Sequence, residues 1–132
     1  MSRNLSPFCV YTIRHRQGLD EASRAGGSGG FTENKGWKTG HRLFVEAERN
    51  AQRMPVVFAS ADVTDKLLYH AVLSDLTLDE ANSTTSYEFT DLTPVEGDLP
   101  LSTLRLRSTD RPLSDNYIRP YAICHTPSFV RE

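Results

Sequence analysis

Between Gly40 and Ser60 the hydrophobic period of the chain changes, and Pro55 stands at the change. From Thr39 or Gly40 onwards, Leu43, Phe44, Ala47 and Ala51 form an apolar stripe at helical spacing, while Arg42, Glu46, Arg49 and Arg53 share a solvent face. Pro55 ends this helix, because its ring pushes Met54 towards extended geometry. The run "PVVFAS" is then apolar almost throughout and reads as a buried strand.

The remaining elements read mainly as strands. "FCVYTIRHR" is β-branched and aromatic, so residues 8 to 15 form the first strand. "TSYEFTDL" alternates, as does "STLRLRS", in which Leu104 and Leu106 point one way and Arg105 and Arg107 the other. A short final strand, "YAICHT", follows Pro120. Residues 65 to 78, "DKLLYHAVLSDLTL", fit two patterns: a helix capped by Asp65, with Leu67, Leu68, Ala71, Val72 and Leu76 in register, or a sheet hairpin. Mostly strands with one firm helix predict an α+β domain, with a small curved barrel as its form. At 132 residues the chain suits a single domain with its own hydrophobic core.

Charge and motifs exclude several functions. The 15 basic and 17 acidic residues give a net charge of -2, so nucleic-acid contact requires a local basic patch. The N-terminal run has too short an apolar core for a secretory signal and no segment reaches membrane-spanning length, which makes a cytoplasmic location and no membrane partner the expectation. Cys9 and Cys124 lie in apolar stretches near opposite ends, and read as buried free thiols that neighbouring terminal strands would bring together. No histidine pair or Cys-x-x-Cys has zinc spacing, so neither a metal nor another cofactor is expected. "GWKTG" fails as a phosphate loop, since Trp37 and Thr32 occupy the positions where glycines belong. Cys124 and His125 are adjacent, which in a strand sends them to opposite faces, away from a nucleophile and base arrangement. His70, set in an apolar run, reads as a core or rim histidine.

The stretch "AGGSGGFTENKGWKTGHRLF", residues 25 to 44, carries the candidate site. Its first six residues have the composition of a flexible coil linker. The chain's single tryptophan, Trp37, then stands between Gly36 and Lys38, directly before the helix. Two readings apply: a core plug whose indole N–H finds a carbonyl, or the wall of an aromatic pocket.

The order of elements, a strand, a loop ending in "GWKT", the helix "HRLFVEAERNAQ", the strand "MPVVFAS" and then "LLYHAVLSDL", resembles the front half of PUA-like domains, closest to their EVE and YTH branch. The resemblance spans about residues 8 to 78 and favours the strand reading of the last segment. It implies a PUA-like curved β-barrel with one or two flanking helices that binds a nucleotide or modified nucleobase, within DNA or RNA, without turning it over. Trp37 matches the loop tryptophan that stacks on a modified base in that branch, and Thr39 resembles the hydroxyl residue after it. Thr39 and Ser60 would bond the base edge, Ser28 would lie beside it, and Lys38, Arg42 and Arg14 would meet phosphate, giving position but not specificity. The YTH cage uses further tryptophans. Here Phe31, Tyr69 or Tyr87 would replace them, so specificity for N6-methyladenine is not carried over.

A second PUA-like branch, the ASCH domains, carries Gly-x-Lys-x-x-Glu-x-Arg, and some members hydrolyse acylated cytidine or cut RNA. "GWKTGHRL" keeps Gly36 and Lys38 but has His41 in place of Glu and Leu43 in place of Arg. A hydrolase built on Lys38 would need a partner carboxylate, with Glu33 and Glu46 nearest in sequence. A protein-interaction module without a small-molecule pocket is the third reading.

Overall fold

The computed structural model describes residues 4–60, 66–114 and 121–130. In chain order the elements are β1 (Asn4–Leu5), β2 (Phe8–Arg14), α1 (Arg16–Arg24), β3 (Gly29–Glu33), α2 (Lys38–Arg49), β4 (Gln52–Arg53), β5 (Pro55–Ser60), β6 (Leu67–Asp79), β7 (Thr84–Pro94), a 3₁₀ turn at Leu101–Thr103 and β8 (Tyr121–His125). Six strands form one sheet in the order β3-β7-β6-β5-β2-β8, while β1 and β4 form a small parallel pair. Within the large sheet β2 and β5 run parallel, with α1, β3, α2 and β4 in the connection between them, and the other neighbours are antiparallel.

The sheet has an apolar core on each face. Val10, Val56, Phe58, Ala71, Tyr87 and Phe89 face the helices, whose buried contributions are Leu19 from α1 and Leu43, Phe44 and Ala47 from α2. Cys9, Tyr11, Val57, Ala59 and Cys124 point the other way and are covered by Leu101, Leu104, Leu113 and Val130. Alternation along β2 and β5 thus feeds two cores, which is why "PVVFAS" is buried at every position.

The α+β class, the first strand, α2, β5, β7 and β8 stand where the sequence pattern puts them. Residues 67–79 form a strand, antiparallel to both β5 and β7; Asp65, the cap in the helical alternative, lies outside the described residues. Several expectations are corrected. Among the described residues the strands do not close into a barrel: β3 and β8 are the two ends of the sheet order. Helix α2 ends at Arg49, before Pro55, and Ala51 is exposed with φ of 53°, outside the apolar stripe. "STLRLRS" is no regular strand. It contributes a 3₁₀ turn and isolated bridges, with Leu104 buried because it reaches the second core.

The glycine run is not a coil linker either. Gly27, with φ of 87°, donates its N–H to the Ala22 carbonyl at the end of α1 and accepts from the Leu92 N–H. Gly30 lies in β3 so close to β7 that an added β-carbon would stand 2.7 Å from the Tyr87 carbonyl oxygen. A strand was hidden there because glycine is the residue that permits that approach.

Candidate functional site

Trp37 is the N-cap of α2, and the start of that helix is fixed from β7. The buried Thr85 hydroxyl accepts the Trp37 backbone N–H at 2.9 Å and donates to the Lys35 carbonyl at 2.7 Å. These two hydrogen bonds fasten the loop on both sides of Gly36. The Trp37 ring stacks on Tyr87 with centroids 4.9 Å apart and planes at 22°, and on Tyr121 at 4.8 Å and 8°. Only 1% of Trp37 is exposed. Both indole faces therefore rest on tyrosines of this chain, and the residue fills the core position of the two sequence readings.

Each end of the aromatic stack closes on polar groups. The Gly40 N–H in the first turn of α2 donates to the Tyr121 hydroxyl at 2.8 Å, a contact for which glycine is needed, since an added β-carbon would lie 2.9 Å from that oxygen. At the other end the Tyr87 hydroxyl donates to Glu33 Oε2 at 3.2 Å, and Arg14 Nη1 donates to the same oxygen at 2.8 Å. The Arg14 guanidinium also lies over the Phe31 ring, 4.1 Å from its centroid. Its buried Nε–H finds no acceptor among the described residues.

Burial pushes the Glu33 carboxyl above its ordinary range, against the opposing pull of Arg14 and the Tyr87 hydroxyl. Tyr87 is raised too, by burial first and then by the charge of Glu33. A guanidinium, a carboxyl and a phenol from β2, β3 and β7 thus meet where the chain would otherwise bury only apolar groups. Beside them is a groove of about 630 Å³ lined by Arg14, Phe31, Thr32, Ser86, Tyr87 and Glu88, with Asp75 also on its wall. The Thr32 and Ser86 hydroxyls hydrogen-bond each other at 3.1 Å and are solvent-exposed.

No protein-family model and no curated protein matches this sequence. The site must therefore be read from its own chemistry. No helix among the described residues is long and apolar enough to cross a membrane.

The structure brings some of the sequence candidates together and separates others. Trp37 and Phe31 share the core that faces the helices, and Ser60, buried at the end of β5, pairs in register with Arg14. Thr39 is half-buried in the first turn of α2. Ser28 is exposed and precedes β3, so it stands a strand length, roughly 16 Å, from Glu33 at the other end. Lys38 and Arg42 are exposed, share one face of α2 and make no ion pair with the described residues. Arg14 is a paired cation, already committed to Glu33 and Phe31.

Of the aromatic substitutes, Tyr87 flanks Trp37 and Phe31 packs edge-on to Tyr87. Tyr69 turns elsewhere and donates to Asp20 at 2.6 Å. For the hydrolase reading, Glu33 is held by Arg14 and Tyr87, Glu46 lies exposed on α2, and Lys38 has no carboxylate partner among the described residues.

Sequence reasoning missed Tyr121, Thr85 and the pairing of Arg14 with Glu33. Tyr121 carried one signal, its place at the head of the alternating "YAICHT". Nothing local tied it to Trp37.

Proposed function

We propose that this chain is a PUA-like binding module that takes a nucleobase or nucleotide without turning it over, and that the base is read at the Arg14–Glu33–Tyr87 network rather than on Trp37. The network itself carries this reading. It sets a donor and an acceptor side by side beside an aromatic ring, the complement of a base edge that offers both an acceptor and an amino group. Thr32 and Ser86 add exposed hydroxyls on the groove wall. Trp37 acts indirectly, by holding Tyr87 in place.

Electrostatics limits where a phosphate would lie. Asp75 and Glu88 line the groove and repel it, whereas Lys38 and Arg42 are exposed cations on α2. The groove thus favours the base, and any nucleic-acid backbone would run towards α2. Calorimetric titration of nucleosides and short oligonucleotides at low salt tests the proposal. Saturable binding is expected to weaken about 10- to 100-fold in Glu33→Gln and in Arg14→Gln, the range for losing a charged hydrogen bond. Absence of binding to any nucleoside or oligonucleotide would reject it.

A further inference from the structure

We propose that Cys9 and Cys124 are a redox pair that closes reversibly into a disulfide between the first long strand and the last. The two are direct partners in the antiparallel register of β2 and β8. Both belong to the core on the face away from the helices, both are fully buried, and both are free thiols. Residues opposed in such a ladder have α-carbons about 4.5–5.5 Å apart, inside the range of about 4.4–6.8 Å that disulfides span. Their β-carbons, about 4.5–5.5 Å apart in a ladder, must close to about 3.8 Å in the bridge. The strands have to pinch, so the bond suits reversible closure better than permanent cross-linking.

The reduced pair is protected. Cys9 Sγ–H donates to the His125 carbonyl at 3.7 Å, and burial raises both thiols, Cys124 to about 12, so thiolate is scarce in the closed structure. Reaction requires β8 to lift. On its outer side β8 is held by the irregular segment through His125 N–H to the Arg105 carbonyl and Arg107 N–H to the Ile123 carbonyl. The oxidant class is a small disulfide. Cys124 loses its proton and its thiolate attacks one sulfur of that disulfide, expelling one small thiolate and leaving a mixed disulfide. Cys9 thiolate then attacks the Cys124 sulfur and expels the second. Two protein thiols give up two protons and two electrons, and the small disulfide becomes two small thiols. Because β8 also carries Tyr121, the bridge would pin the strand whose ring covers Trp37.

The full chain is equilibrated in buffers of oxidised and reduced glutathione, both from the native state and during refolding from urea, then acid-quenched, alkylated and weighed. The expected product is a monomer about 2 Da lighter with no alkylatable thiol, restored by dithiothreitol. Its digest should contain one cross-linked peptide pair joining Cys9 and Cys124. Cys9→Ser and Cys124→Ser should each lack this product and carry glutathione or a free thiol. The oxidised chain should also melt higher than the reduced one. Bridging on refolding alone still supports the pair and places the barrier in the lifting of β8. Two free thiols, glutathione on both cysteines, or intermolecular dimers in both arms would overturn the proposal.

Discussion

Trp37→Ala is the perturbation whose size the structure fixes best. The indole is 1% exposed and sits between two tyrosine rings at 4.9 and 4.8 Å, so truncation empties a large site that rigid neighbours on β7, β8 and α2 cannot readily refill. Emptying a buried Trp or Phe site costs about 3–5 kcal/mol, and the stacking contacts lie inside that figure rather than on top of it. A domain of this kind has about 5–15 kcal/mol in all. With a urea slope of about 2 kcal/mol/M, the unfolding midpoint should fall by roughly 1.5–2.5 M. The assay is urea unfolding followed by circular dichroism. In the parent chain the single indole should emit as a buried group and resist quenching by iodide. A loss below about 1 kcal/mol, or an indole freely quenched by iodide, would refute the argument that Trp37 is a core residue here.

Thr85→Val should cost about 2–5 kcal/mol in the same assay, because it orphans the Trp37 N–H and the Lys35 carbonyl together. Gly30→Ala should destabilise by about 1–3 kcal/mol, since its β-carbon meets backbone at 2.7 Å and β3 has to shift; an unchanged melting temperature would contradict the close packing of β3 on β7. Burial holds His70, edge-on to Phe129, below its ordinary value of 6.5. The unfolded chain therefore takes up this proton first, and the His70 contribution to stability, whole at higher pH, should be lost as pH falls through 6.5 towards the lower folded value and then level off. NMR titration of the His70 ring gives the folded value, and a His70→Leu variant should lack that part of the slope.

Most long, strongly patterned elements were legible in the sequence. The stripe of α2, the apolar run of β5 and the alternation in β7 each state their own period, and local pattern suffices for them. Helix α1 was not legible, because RQGLDEASR buries a single large residue, Leu19, and the only other apolar side chain on that face is the small, half-buried Ala22. Strand β3 was masked by its glycines, which ordinarily argue against a strand but here admit the Tyr87 carbonyl and the Phe89 ring. In "STLRLRS" the alternation is real, yet tertiary contact wins: Leu104 serves the second core from an irregular segment. At the site, Trp37 was conspicuous as the only tryptophan, but its partners Tyr87 and Tyr121 come from β7 and β8. The sheet order that unites them is a property of the whole chain. Arg14 and Glu33 were visible as charges, but they sit at the ends of β2 and β3, strands that are not neighbours in the sheet, so no local pattern made them a pair.

The most direct test of the proposed site is an NMR titration of the isotope-labelled chain with nucleosides that do and do not carry an amino group. Saturable shifts of the Arg14 Nε–H and of the Thr32 and Ser86 amides are expected, stronger with the amino-bearing bases, with the Trp37 indole N–H almost unmoved. Shifts centred on the Trp37 indole with the Arg14 signal unchanged, or no shifts at any nucleoside concentration, would contradict the proposed site.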